Sequence, residues 1–404
     1  MFSEGKQGGF KGQGVSAHDL PVPSEAALAH SERLQALIRS EIEQAGGHIG
    51  FERFMELALY APGLGYYSAG SGKFGETGDF VTAPELSPLF SRCLARQCAE
   101  VLSGIGGGDI LEFGAGSGVM AADILAELAR LEALPGQYFI LELSADLRQR
   151  QQQAIEQKVP QLTGRVVWLD ALPEPGFCGV VLANEVLDAM PVHRFVIDNG
   201  EPRELCVVWD GEQFELQSGP ADAALYTRLK QLQQEYALAD GYSSELNLHA
   251  EEWVRSLADF LAQGVALLID YGFPQREFYH PQRSGGTLMC HYRHRVHDDA
   301  LRLIGLQDIT AHVDFTAVGE AALAAGLDVR GYTSQANFLV ANGLTELLAG
   351  AGGDSRQQLT LSAQVKRLTM PGEMGELFKV MALSREWRRP LQGFSLRDER
   401  RKLG

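Results

Sequence analysis

Residues 109–118 read Asp109-Ile110-Leu111-Glu112-Phe113-Gly114-Ala115-Gly116-Ser117-Gly118. An apolar strand carrying an acid runs into three glycines at alternate positions. From Val119 the chain places Met120, Ile124, Leu125, Leu128 and Leu131 at helical spacing. A strand that becomes a helix through glycines lets a ligand approach bare backbone. The helix start offers unpaired N–H groups and a partial positive charge. In open α/β sheets ligands sit in such a crevice, at the carboxyl ends of the strands. A nucleotide-like cofactor is therefore expected at residues 114–118.

The glycine spacing narrows the cofactor. A dinucleotide fingerprint, G-x-G-x-x-G, would put its last glycine at position 119, where valine stands. No Lys-Ser/Thr pair follows, so the P-loop pattern fails as well. The form present, Glu112 then G-x-G-x-G, resembles the first motif of class I S-adenosylmethionine methyltransferases. Any tight strand–helix turn can be glycine-rich, so the neighbouring strands must decide.

Residues 138–143, Tyr138-Phe139-Ile140-Leu141-Glu142-Leu143, read as a second buried strand ending in an acid. A carboxylate there can accept from two ribose hydroxyls, a device shared by dehydrogenases and methyltransferases. Ser144 is placed to cap the following helix. Residues 166–170 form a third strand, ending in Asp170, which either meets an adenine amino group or caps a turn. Residues 179–185 form a fourth, from whose end Asn184, Glu185 and Asp188 emerge. A carboxylate pair suits a cationic acceptor such as a guanidinium, which pairs bidentately with carboxylates, and could take up a proton. The alternative is that Asn184 and Asp188 only buttress the turn. A fifth buried strand, 265–272, ends in Asp270-Tyr271-Gly272, which is again expected to face the crevice.

Outside this frame, helices are expected from Ser31, stopped by Gly46-Gly47, at 51–60, and from Ser87 to about 102. Between the last two, residues 63–85 combine glycines and aromatics without a period, as either a lid or an ordered connector. After the fourth strand, Asn199-Gly200 and Asp210-Gly211 mark hairpin turns, followed by helices at 223–236 and 251–263. His291, His294 and His297 recur every three residues, but Arg293 and Arg295 between them would repel a metal ion, so a polar loop is expected and no metal site. A helix at 316–326, a strand at 327–333, helices over 335–370 and a strand at 377–383 match a sheet with an antiparallel tail.

The chain has 404 residues, 45% of them apolar, and a net charge of −17. That length suits one large domain with insertions or two domains. No run approaches the roughly 20 apolar residues of a membrane span. The acidic balance argues against a nucleic-acid partner, which calls for a basic face. Five scattered cysteines without metal spacing read as reduced thiols. The first thirty residues show neither a secretory nor a mitochondrial signal, and residues 5–14 read as disordered.

Six stretches together resemble the MidA-type S-adenosylmethionine methyltransferases, whose mitochondrial members are complex I assembly factors. They are Tyr60-Ala61-Pro62-Gly63-Leu64-Gly65-Tyr66-Tyr67, Gly78-Asp79-Phe80-Val81-Thr82-Ala83-Pro84-Glu85, residues 112–118, Asn184-Glu185-Val186-Leu187-Asp188-Ala189-Met190-Pro191-Val192, Ile269-Asp270-Tyr271-Gly272, and Asp308-Ile309-Thr310-Ala311-His312-Val313-Asp314-Phe315. The resemblance implies an α/β class I fold: a Rossmann-like sheet with an antiparallel strand, an N-terminal helical and lid segment, and helical and hairpin insertions. It implies a division into a tail (1–30), the lid segment (31–105), the methyltransferase domain (106–390, inserted near 195–262 and 335–372) and a second tail (391–404). S-adenosyl-L-methionine is the implied cofactor. Thr82, Pro84, Glu112, Gly114, Ala115, Gly116, Gly118, Glu142, Leu143, Asp170 and Asn184 are expected to hold it, with Glu185 and Asp188 catalytic. The implied acceptor is a protein arginine, and a homo-oligomer is possible. The acidic N-terminus without a targeting signal leads to the expectation of a cytoplasmic, bacterial-type relative. Two other classes compete: a factor that binds the cofactor without turnover, and a small-molecule methyltransferase. A nicotinamide dehydrogenase is disfavoured by the missing glycine.

Overall fold

The computed structural model describes residues 20–68, 81–352 and 354–404. The N-terminal elements are α1 (Glu25–Gln44), β1 (His48–Gly50), α2 (Phe51–Tyr60), α3 (Ala83–Leu86) and α4 (Pro88–Ile105). Next come β2 (Asp109–Phe113), α5 (Val119–Arg130), β3 (Tyr138–Leu141), α6 (Ala145–Lys158), β4 (Val166–Leu169) and β5 (Phe177–Asn184). The insertion holds β6 (His193–Asp198), β7 (Glu201–Trp209), β8 (Phe214–Gly219), α7 (Ala223–Tyr236), β9 (Ser243–Leu246) and α8 (Leu248–Phe260). Then follow β10 (Leu261–Phe273), α9 (Gln275–Phe278), β11 (Met289–Tyr292), β12 (Arg295–His297), β13 (Asp308–Thr310), β14 (Val313–Asp314) and α10 (Phe315–Ala324). The chain closes with β15 (Asp328–Ser334), α11 (Gln335–Ala341), α12 (Leu344–Ala349), α13 (Ser355–Thr369), α14 (Met374–Leu377) and β16 (Phe378–Arg385).

The main sheet runs β15-β16-β10-β5-β2-β3-β4, with β14 pairing beside β10. Strands β10, β5, β2, β3 and β4 are parallel, while β16 lies antiparallel between β10 and β15. This is the antiparallel tail expected from the sequence. Period-two alternation sorts the side chains: Ile110 joins the core under α4, α5 and α6, and Leu111 and Phe113 join the core under α8 and α10. Burial on both faces explains why these strands read as unbroken apolar runs.

A second sheet, β1-β7-β6-β9 with β8 on β7, is built from the insertion. The Asn199-Gly200 hairpin forms as expected, both residues having positive φ (52° and 76°). The next turn is longer, with the Asp210 carboxylate accepting from the N–H groups of Glu212 and Gln213. Strand β1 was not anticipated. It pairs His48 with Val208 and so ties the N-terminal helices to the insertion. Helix α1 begins at Glu25, not Ser31, because the Ser24 hydroxyl accepts from Ala27 N at 3.3 Å and caps it. The expected tail boundary at residue 30 therefore falls inside a helix. His291 and His297 lie on β11 and β12, with His294 in the turn between, not on a helix. No helix among the described residues is long and apolar enough to cross a membrane.

Candidate active site

The parallel strands deliver their carboxyl ends to one edge, where two groups of residues gather. The first is the glycine turn and its neighbours. Gly114, Gly116 and Gly118 all have positive φ (61°, 50° and 82°), a region that L side chains rarely adopt. Each has a different surrounding. A Cβ on Gly118 would stand 2.6 Å from Gln151 Cα, so this glycine lets α5 and α6 close together. A Cβ on Gly114 would meet Val186 at 3.3 Å, whereas the space beside Gly116 is open. The close-packing role that a dinucleotide site gives its third glycine is carried here by Gly118, one position earlier.

Glu142 follows β3 and accepts from Ser144 N at 2.9 Å and from Gln151 Nε2 at 3.0 Å. The same Gln151 nitrogen donates to Gly116 O at 3.1 Å. Leu143 stands 77% exposed beside it, an apolar surface at the rim of the crevice. Asp170, beyond β4, is exposed and paired with Arg148 at 2.6 Å. Ala115 is buried in the turn. Open space at a positive-φ glycine, an acceptor-only carboxylate and an exposed apolar side chain in one row fit an adenosyl cofactor. Glu112 departs from expectation. Its side chain points under the turn into the core, fully buried, with Oε2 accepting from the Tyr138 phenol at 2.6 Å. Burial pushes its pKa up to about 7. It stands beneath the turn, and its Oε1 has no hydrogen-bond partner among the described residues.

The second group surrounds the loop after β5. Glu185 has φ 54°, strained for a non-glycine residue, and its N–H bonds Ile269 O at 2.9 Å. Its carboxylate accepts from Asn184 Nδ2 at 3.1 Å and from the backbone N–H of Ala83. Desolvation, with Asp188 and Asp308 nearby, pushes its pKa up to about 8. Asp188 is buried and bonded to the Tyr271 phenol, and desolvation raises its pKa to about 6. Asn184 Oδ1 and Asp188 Oδ1 are buried with no hydrogen-bond donor among the described residues.

Asp270 does not face the open crevice as the sequence implied. It is fully buried beneath the loop, accepting from Leu187 N at 3.0 Å, Asp188 N at 3.3 Å and Tyr271 N at 2.9 Å. The N-terminal segment wraps the same loop. Tyr60 Oη donates to Ala189 O at 2.9 Å, and Tyr67 Oη donates to Asp308 Oδ1 at 2.8 Å. The two rings stack with centroids 5.5 Å apart. Thr82 precedes α3 and Pro84 is buried in it, next to the Ala83 N–H that meets Glu185. Of the expected lid, residues 69–80 lie outside the described residues. What is described, 60–68 and 82–86, closes on the acceptor loop.

Sequence reasoning assigned no role to Gln151 and Arg148, because both sit in a polar helical run with nothing to distinguish them. Tyr60, Tyr67 and Asp308 stood in quoted stretches, but only the folded chain joins them.

Comparison with known proteins agrees with this arrangement. A family model described as "Putative S-adenosyl-L-methionine-dependent methyltransferase" matches residues 93–333. The chain is 28% identical over 375 residues to the zebrafish (Danio rerio) "Protein arginine methyltransferase NDUFAF7, mitochondrial", covering 84% of each chain. It is 27% identical over 396 residues to the Drosophila melanogaster homolog, covering 90% of this chain and 87% of that one. A Burkholderia thailandensis crystal structure bound to S-adenosyl-homocysteine superposes with a TM-score of 0.90 at 47% identity, covering 94% of this chain and 99% of that one. The expectation of a cytoplasmic location is corrected by these relatives, whose names place them in mitochondria. The charge and N-terminal pattern that suggested it carry no compartment signal strong enough to stand against them. With a match over more than half its length, the chain belongs to this family of S-adenosyl-L-methionine-dependent methyltransferases and takes S-adenosyl-L-methionine as cofactor.

Proposed function

We propose that this methyltransferase acts on a nitrogen of a protein arginine side chain. The carrying observation is the acceptor loop: carboxyl groups of Glu185 and Asp188 beside two buried oxygens, Asn184 Oδ1 and Asp188 Oδ1, that lack donors. Such a lining calls for a ligand that is cationic and rich in N–H groups. A guanidinium, planar with five donors, meets both demands. The names of the NDUFAF7 relatives support the same acceptor.

The bound cofactor supplies an electrophilic methyl on a positively charged sulfur. Gly114, Ala115, Gly116 and Gly118 give the backbone room for it, Glu142 accepts from its ribose hydroxyls, and Leu143 and Asp170 flank its adenine. Thr82, Pro84 and Asn184 lie where the two ligands would meet. Glu185 holds the guanidinium in line with the methyl, and positioning of this kind supplies much of the rate in a displacement. As the N–C bond forms and the S–C bond breaks, the acceptor nitrogen must lose a proton. Glu185, with a pKa near the working pH, is suited to take it.

The test is to incubate cell extract with the enzyme and methyl-labelled S-adenosylmethionine, then hydrolyse the protein to amino acids. Label on methylarginine is the expected result. Label on methyllysine, or on small molecules alone, would overturn this reading.

A further inference from the structure

The cofactor half of the site has an unassigned framework on one face of α6. Gln151 and Arg148 stand one helical turn apart, where i and i+3 side chains point the same way. Gln151 is fully buried and uses both amide protons and its oxygen. Its amide nitrogen donates to Gly116 O at 3.1 Å and to Glu142 Oε2 at 3.0 Å, while its oxygen accepts from Trp168 Nε1 at 2.8 Å. One side chain thus spans the glycine turn after β2, the acid after β3 and the indole on β4. Arg148 completes the series. Its guanidinium donates to Glu142 O at 2.6 Å, Leu169 O at 2.8 Å and Asp170 Oδ1 at 2.6 Å. The two residues join the ends of three strands.

We propose that Gln151 and Arg148 are positioning residues that set the cofactor's nucleoside half: Gln151 aims Glu142 at the ribose, and Arg148 aims Asp170 at the adenine edge. The inference rests on the assignment of Glu142 and Asp170 to the nucleoside. The physical basis is preorganisation. Glu142 is a half-buried carboxylate just past a strand end. Without the Gln151 amide it keeps only the Ser144 N–H, and its second oxygen is free to rotate toward water. Ligand binding would then have to order it, and that entropy is subtracted from affinity. Asp170 is mostly exposed, so Arg148 alone restrains it. Gln151 also fixes the carbonyl of Gly116, so the turn and the ribose acid are held at one spacing.

The experiment uses the full chain and three probes: S-adenosylhomocysteine, its 2′,3′-dideoxyribose analogue and S-inosylhomocysteine, each titrated calorimetrically. Gln151→Met keeps the volume and removes the amide. It is expected to raise the Kd for S-adenosylhomocysteine about tenfold, the scale of one hydrogen bond to a charged group, and to move the dideoxy analogue less than about twofold. Arg148→Met sits on a partly exposed position, so the fold should tolerate it. It is expected to shrink the preference for the adenosyl over the inosyl ligand severalfold, because the oriented acceptor for the adenine amino group is lost. Equal weakening of all probes by both variants would mean that α6 only supports the fold, and the inference would be wrong. A control separates the two layers of the argument. If Glu142→Ala leaves S-adenosylhomocysteine binding unchanged, the nucleoside assignment itself fails. If Glu142→Ala weakens it but Gln151→Met does not, only the positioning role fails.

Discussion

The two halves of the crevice are built on opposite principles. The cofactor half is local: residues 109–170 form three consecutive strand ends, and α6 hydrogen-bonds them into place. Its rim carboxylates, Glu142 and Asp170, are hydrogen-bonded, and its key surfaces, Gly116 and Leu143, are open. The acceptor half is assembled from distant chain segments. Residues 60–67, 83, 184–189, 270–271 and 308 meet there, and its carboxyl groups are buried against one another with raised pKa values. The difference teaches that one half is rigid backbone shaped for a ligand common to many enzymes. The other is a cluster of carboxyl groups whose ionised forms are costly to bury.

That contrast can be broken or sharpened by substitution. The largest effect is expected for Gly114→Val. A valine there must adopt φ 61° and press on Val186 Cγ2. Strain of about 1–3 kcal/mol plus the filled space should weaken S-adenosylmethionine binding by about two orders of magnitude or more, measured by calorimetry on protein whose circular dichroism is unchanged. Undiminished binding would remove the glycine turn from the site.

A pH profile separates the halves next. Asp188 and Glu185 have carboxyl pKa values raised to about 6 and about 8. Near neutrality Asp188 is then mostly ionised while Glu185 still holds its proton, and only the ionised forms hold a cation. The kcat/KM for the protein acceptor should therefore climb as pH rises through about 6 to 8, while the Kd for S-adenosylhomocysteine follows no such curve. A flat kcat/KM over that range would contradict the role given to the cluster.

Tyr67→Phe tests the N-terminal contribution. It deletes the hydroxyl that donates to buried Asp308, at a cost of about 1–2 kcal/mol in stability, visible as a lower urea midpoint. Acceptor KM should rise severalfold and cofactor affinity should hold, since residues 60–68 meet the acceptor loop and not the glycine turn.

The smallest change in catalysis is expected at Glu112. Its folded pKa, about 7, lies above the ordinary 4.5. Between those values the folded chain keeps a proton that the unfolded chain has lost. Its stabilising contribution is complete below about pH 4.5 and is lost as pH rises through about 7, amounting to about 3 kcal/mol in all. Glu112→Gln should flatten this part of the stability-versus-pH curve, measured by urea unfolding from pH 5 to 8, and leave catalysis nearly unchanged. A large loss of cofactor binding would instead return Glu112 to the crevice.

The same contrast explains what the sequence discloses. The central strands were legible because burial on both faces leaves apolar runs, and the glycine turn was legible because positive φ demands glycine. Glu142 stood out because an acid follows an apolar run at a strand end. The burial of Glu112 was not legible, because period-two alternation turns it to the core face and only the phenol of Tyr138, on the neighbouring strand, reveals what receives it. The short strands β1 and β11–β14 carry too few residues to show a period. Arg148 and Gln151 gave no signal in a polar helix, because their meaning lies in the strand ends they touch. Asp270 read as a crevice residue because its loop-side partners, the Leu187 and Asp188 N–H groups, come from a segment more than eighty residues earlier.

The central claim is that the two halves are separable, one holding the methyl donor and the other the arginine. Glu185→Gln tests it most directly, because glutamine keeps the shape and removes the charge. Methyl transfer to protein arginine and the Kd for S-adenosylhomocysteine should be measured on the same preparation. The account predicts transfer reduced about a hundredfold or more, with the Kd within about twofold of the parent. Transfer at the parental rate, or a Kd that rises as transfer falls, would contradict it.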